Sequence, residues 1–300
     1  MKTSDIQIRD PFIVPEPKEK CYYLFGTTSK AYWKRPEEGV DCFRSKDLRE
    51  WEGPIPAFRA PPGFWATRDF WAPEVHYYRG RYYMFVSLKA DRRYRGTQIL
   101  VAAHVAGPYA PLTDGPATPA DWECLDGTLH VDAEGQPWIV FCHEWVQVHN
   151  GGMYALRLSE DLKAAAGRPV YLFSASEGPW VKRPDWPGDE ERFRLPTYIT
   201  DGPFLYRTGK GELLMLWSSQ GNKGYATGIA RSESGTVAGP WRQDAQPLWE
   251  NDGGHGMIFR GFDGRLMVTF HMPNNPPGER PVFVEIEETD TGIGLKAGGK

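Results

Sequence analysis

The sequence lacks an excess of positive charge, a long apolar run and a paired-cysteine motif. Its 300 residues carry 35 Lys and Arg against 39 Asp and Glu, a formal charge of −4. That balance offers no basic footprint for nucleic acid or anionic lipid, so neither is expected as a partner. No segment approaches the ~18 consecutive apolar residues of a spanning helix, and the opening MKTSDIQIRDPF has no apolar leader core. As it stands the chain reads as cytoplasmic, or as secreted or periplasmic if a leader has been removed. The four cysteines, Cys21, Cys42, Cys124 and Cys142, show no C-x-x-C spacing, which argues against the common zinc and redox motifs. Cys21 and Cys142 lie in apolar runs and read as small buried hydrophobes. Sustained 3.6-residue periodicity is missing too; Asp161 to Gly167 offers at most one helical turn.

What is abundant is aromatic side chain: 12 Trp, 14 Tyr and 15 Phe. Such rings suit sheets that pack through large flat side chains, and they also suit a cleft on which sugar faces stack. The chain reads as strand after strand. In "WAPEVHYYRGRYYMFVSLK" and "GHGMIFRGFDGRLMVTFHM" two apolar runs flank a Gly turn, and Glu134-Gly135 and Lys210-Gly211 join runs in the same way. A meander of three to four strands recurs five times, at intervals of roughly 50 to 75 residues. The expectation is an all-β, five-bladed β-propeller filling residues 1–300 as a single domain. One insertion, Ser174 to Pro196, is rich in Pro, Trp and charge and reads as a loop over one face.

The residues leading the five units are Asp10, Glu74, Asp126, Asp201 and His255. Innermost strands line a propeller's channel, so their leading residues converge on one funnel. Taken singly, an Asp before Gly reads as a turn residue. Four acids and a histidine around one mouth would instead push one another's pKa values apart, as acid–base chemistry requires.

These residues resemble glycoside hydrolase family 43. The likeness rests on Arg9-Asp10-Pro11-Phe12, "RSKDLREWE" from Arg44, "FWAPEVHYYRGRYYMF" from Phe70 and "GHGMIFRGFDGRLMVTFH" from Gly254, in order along nearly the whole chain. The resemblance implies a five-bladed propeller that cleaves α-L-arabinofuranosyl or β-D-xylosyl linkages in oligo- or polysaccharide with inversion. It implies Asp10 as general base, Asp126 as the aspartate that tunes and orients the acid, and Asp201 as general acid. Asp201 stands where the family usually has Glu before Gly-Pro, one methylene longer. The resemblance further implies Trp71 beside the sugar, Arg280 in contact with it, and His255 below the site. In some members that histidine helps to hold a central cation through waters, here a structural Ca²⁺ in the channel; the chemistry itself would require no cofactor.

Glu144 in "FCHEW" ends an apolar strand and reads as a rival acid or a substrate ligand, and Glu74 as a substrate or channel residue. His143 reads as a core histidine and His271 as a funnel residue; Trp65, Trp145, Trp180 and Trp186 are candidate sugar platforms. Arg68-Asp69 repeats the Arg9-Asp10 pair in a loop. Two other readings fit the same residues: a propeller that binds glycan or protein without cleaving, and a glycosidase for another sugar, such as a galactoside.

Overall fold

The computed structural model describes residues 1–28, 39–184 and 195–296. Short apolar strands separated by Gly turns build five four-stranded antiparallel sheets, each contiguous in sequence, whose second strands are buried along nearly their whole length between neighbouring blades. Blade one holds β1 (Ile8–Glu16), β2 (Cys21–Thr28), β3 (Gly39–Ser45) and β4 (Trp51–Arg59). Blade two holds β5 (Arg68–Tyr78), β6 (Arg81–Lys89), β7 (Gly96–Ala102) and β8 (Ala110–Pro111). Blade three holds β9 (Cys124–Val131), β10 (Pro137–His143), β11 (Gly152–Arg157) and β12 (Val170–Ser174). Blade four holds β13 (Asp201–Arg207), β14 (Leu213–Gly221), β15 (Gly224–Ser232) and β16 (Trp241–Gln243). Blade five holds β17 (Gly254–Arg260), β18 (Leu266–Met272), β19 (Arg280–Thr289) and β20 (Gly292–Leu295). The first strands touch in the cyclic order β1, β5, β9, β13, β17 and back to β1. They form the inner wall of a five-bladed propeller.

The anticipated hairpin glycines, Gly80, Gly135, Gly211 and Gly264, all take positive φ. The helical turn lies elsewhere than expected: Trp145–Val148 is helical, whereas Asp161 to Gly167 forms turns.

The core lies between neighbouring sheets. Phe85, Ile99 and Phe141 pack between blades two and three. Val140, Phe173, Trp180 and Trp217 do so between three and four, and Leu216, Ile229, Val268 and Phe270 between four and five. Much of the aromatic content is therefore packing: Trp217, Phe25, Phe85 and Phe141 are fully buried. Trp180, a candidate platform, is buried and lies so close over Gly228 that an added methyl there would meet its ring at 2.2 Å.

No N-terminal strand completes the last sheet, so side chains and backbone at the seam join blades one and five. Arg280 Nε donates to Ser4 O at 2.7 Å, and its other nitrogen donates to the carbonyls of Pro277 and Glu279. Trp51 Nε1 donates to Thr3 Oγ1 at 2.9 Å, fixing the N-terminal turn against β4. Arg280 is thus engaged at the seam. Arg280→Ala is expected to lower stability by about 1–3 kcal/mol, since three carbonyls lose their donor. Thermal denaturation should show a lower Tm while KM for glycan stays at the wild-type value.

Candidate active site

Every inner strand carries the same irregularity at its head. The register slips after Arg9, Trp71, Leu125, Asp201 and Gly254. The residue that follows each, Asp10, Ala72, Asp126, Gly202 or His255, is left-handed, with φ between 44° and 59°. A non-glycine residue pays a conformational penalty there, so surrounding contacts must hold it. They do so through the amide. Ala72 N donates to Thr27 Oγ1 at 2.7 Å, Asp126 N to Ser87 Oγ at 2.8 Å, and His255 N to Ser218 Oγ at 2.8 Å. Asp10 N donates to His271 Nδ1 at 3.1 Å, and Gly202 N to Asp126 Oδ2 at 3.0 Å.

This geometry corrects the alignment of the five units. Asp10, Asp126 and His255 are equivalent, but Asp201 stands one residue before its head and Glu74 two residues after. Asp201 shares its place with Arg9, Trp71 and Leu125, all of which line the funnel. Glu74 drops below it, buried, with Oε2 3.1 Å from His76 Nε2, and is absent from the pocket lining. A Pro or Gly follows each head, at Pro11, Pro73, Gly127, Pro203 and Gly256; that signal aligns the repeats where the acids do not.

The funnel encloses a cavity of about 320 Å³ lined by Asp10, Asp126, Asp201, Glu144, His255 and Trp71, together with Arg9, Trp145, Gln220, Tyr225 and Asn274. His255 Nδ1 lies 3.1 Å from Asp10 Oδ1 and 3.8 Å from Asp126 Oδ2. Burial works against charging this imidazole, but the two carboxylates outweigh it and raise its pKa to about 10. Burial likewise works to raise the Asp10 carboxyl, yet His255, with help from Arg9, holds it well below the usual carboxylate range. Thr27 Oγ1 adds a hydrogen bond to Asp10 Oδ2 at 2.7 Å. Asp126 and Asp201 move the other way. Burial raises both, only partly offset by His255; Asp201 and Asp10 raise Asp126 further, and Asp10 and Glu144 raise Asp201. Tyr225 OH orients Asp201 through Oδ2 at 2.9 Å. One carboxylate is thus kept ionised while its two neighbours retain protons toward neutral pH.

A profile of glycosyl hydrolases family 43 matches residues 4–290. The chain belongs to that family. It is similar to the endo-arabinase of Bacteroides thetaiotaomicron VPI-5482, with 41% identity and a TM-score of 0.88 over 99% of both chains. An endo-1,4-beta-xylanase of the same organism has the same fold, with 22% identity and a TM-score of 0.78, covering 99% of this chain and 96% of that one. The extracellular exo-alpha-(1->5)-L-arabinofuranosidase ArbA of Cellvibrio japonicus (strain Ueda107) is 22% identical over 275 residues, covering 85% of this chain and 72% of the relative.

Within this family 43 site, Glu144 follows β10 and meets Arg95, whose Nε is 3.1 Å from its Oε2. Arg95 also binds Asp69 at 2.9 Å and lies 3.9 Å over the Trp71 ring, holding the ring in the wall. Asp69 therefore supports the wall, while Arg68 pairs outward with Asp91. Trp145 lines the cavity; Trp65 instead binds Gln98, and Trp186 lies outside the described residues. His271 is fully buried under Asp10, and His143 stacks on Trp122 outside the cavity lining. Arg280 is absent from that lining; Arg9, paired with buried Glu279 at 3.4 Å, is the arginine within it. Arg9 sits beside Asp10 in the opening motif, a signal present in the sequence. Tyr225 and Arg95 carry no motif and arrive through folding alone.

A cation in the channel near His255 would be held through waters rather than by a protein cage of its own. Among the described residues no three His, Cys, Asp or Glu side chains form a metal-holding group, and His255 Nδ1 is engaged by Asp10. The imidazolium supplies positive charge at this place.

Asp126 keeps a proton in the folded protein that the unfolded chain releases above the ordinary value of 3.8. Its contribution to stability is whole below that value and is lost as the pH rises toward about 8. Asp126→Asn cannot ionise, so its Tm should fall less than wild type between about pH 5 and pH 8. Parallel slopes in scanning fluorimetry would contradict the assignment.

Proposed function

We propose that the protein hydrolyses α-L-arabinofuranosyl linkages of arabinan-type glycan by single-displacement inversion, with β-D-xylosyl linkages as the alternative specificity. The observation that carries this reading is the convergence of three carboxyls in one cavity, with His255 nearest Asp10 and Tyr225 bonded to Asp201. Inversion needs a carboxylate to activate water on one face of the sugar and a carboxylic acid to protonate the leaving oxygen on the other. Asp10, kept ionised by His255, is the general base. Asp201, raised by burial with Asp10 and Glu144 adding to it, and oriented by Tyr225, is the general acid, and Asp126 holds the amide of the adjoining Gly202. Water attack on the anomeric carbon transfers its proton to Asp10 as Asp201 passes its own to the departing oxygen. No step is routed through a metal, and we propose that the chemistry needs no cofactor.

Arabinan as the substrate is supported by the likeness to the endo-arabinase, and the likeness to the arabinofuranosidase is consistent with it. A second groove of about 510 Å³ shares Trp71 and Glu144 with the main cavity and continues past Tyr94, Val146 and Gln147. It gives a glycan room on the far side of Trp71. Glu144, tied to Arg95, is assigned to binding.

Replacing a general acid matters least when the leaving group needs no proton, which separates Asp201 from Glu144. Asp201→Ala should lose about 10²–10⁴-fold in kcat on linear arabinan and far less on a dinitrophenyl arabinofuranoside. Glu144→Gln should lose similarly on both substrates. The opposite pattern would transfer the acid role to Glu144. Asp10→Asn should lose turnover on both substrates while circular dichroism reports an intact fold. Proton NMR of the first sugar released should show the inverted anomer; a retained one would exclude this mechanism.

A further inference from the structure

The residues paired with the five pre-head positions are themselves equivalent: Thr27, Ser87, Cys142, Ser218 and His271. Four of them accept the head amide of the next blade, at 2.7 to 3.1 Å. The fifth, Cys142, does not. Its thiol lies 3.9 Å from Met153 Sδ in the fully buried space between blades three and four, and a thiol is a weak acceptor. The amide it leaves is that of Gly202, which donates to Asp126 Oδ2 at 3.0 Å.

Blade one shows what a hydroxyl does at this place. Thr27 accepts from Ala72 N at 2.7 Å and donates to Asp10 Oδ2 at 2.7 Å, so the acid of blade one reaches the next blade through a relay. Asp126 occupies the same position in blade three without such a relay, and makes the contact itself. Gly202 lies close against the His255 ring: its φ is +52°, and a methyl there would meet that ring at 2.8 Å.

We propose that Cys142 is a positioning residue: by leaving the Gly202 amide unclaimed, it makes Asp126 reach across the blade boundary and stand beside Asp201. This rests on the active-site reading of Asp126. A hydroxyl at position 142 would capture the amide, as Ser87 and Ser218 do in their blades, and would draw the carboxylate back toward its own blade. Beside Gly202, Asp126 faces His255, Asp10 and Asp201, and its displacement alters the acid's surroundings.

The test compares Cys142→Ser with Cys142→Ala, which differ by one hydroxyl. In crystals of Cys142→Ser the new Oγ should lie within about 3 Å of Gly202 N, with Asp126 Oδ2 no longer bonded to that amide. Its kcat on linear arabinan should fall about tenfold, with KM within about twofold of wild type. Cys142→Ala should keep the Asp126–Gly202 bond and more than about a third of kcat, while its Tm drops because a cavity replaces the sulfur. A Cys142→Ser protein that keeps the bond, or loses it with kcat intact, would overturn the proposal. So would a Cys142→Ala protein as slow as Cys142→Ser. Asp126→Asn measured beside them separates the two claims: wild-type turnover in that variant would remove Asp126 from the active site, whatever residue 142 does.

Discussion

The amide at the head of each inner strand is the constraint on which the site depends. A left-handed residue interrupts the ladder there, so the strand cannot simply continue upward. In every blade a side chain of the preceding blade takes the freed N–H, and at blade four alone that side chain is a carboxylate, Asp126. That bond does two things at once. It joins neighbouring sheets at the same place in every blade, and it sets the height of the head residue. Asp10, Asp126 and His255 occupy equivalent positions because each is such a head residue.

Electrostatics follow from this placement. Three buried carboxyls near one another cannot all ionise, and one buried imidazole among them becomes charged. His255 lies nearer to Asp10 than to Asp126, at 3.1 against 3.8 Å, so the positive charge favours Asp10. Thr27 adds a donor to the same carboxylate. Asp126 and Asp201 receive less compensation and retain protons. The division between an ionised acid and protonated ones is thus set by fractions of an ångström and by which hydroxyls lie near, not by residue type. All three are aspartates.

Much of the fold was legible. Repeated apolar runs, glycine turns and the want of helical periodicity pointed to five meanders, and the five sheets lie where those runs are. The acids of the funnel were legible as members of the repeat, though two were placed out of phase. Glu74 and Asp201 look like repeat leaders because they are acidic, yet the ladder slips at the Pro or Gly that follows each head. Counting from acids moved Glu74 into the funnel and left Arg9 out. The resemblance points Arg280 to the sugar; in the structure its guanidinium is engaged at the seam between blades one and five and lies outside the cavity lining. Tyr225 and Arg95 were invisible because each reaches the site from elsewhere in its blade, β15 and the run before β7.

Local chemistry, then, is what the sequence determined by itself: where strands begin, where turns fall, and that each blade repeats the same strand head. Those features depend on neighbours a few residues apart, which a linear reading can see. Only the tertiary structure decided which acid is charged, which arginine faces the cavity and which amide each carboxylate holds. Those outcomes turn on distances between blades, between residues as far apart as Asp10 and His255. Burial gives such distances their weight: in a low-dielectric funnel a single hydrogen bond or ion pair shifts a proton, and no spacing along the chain encodes it.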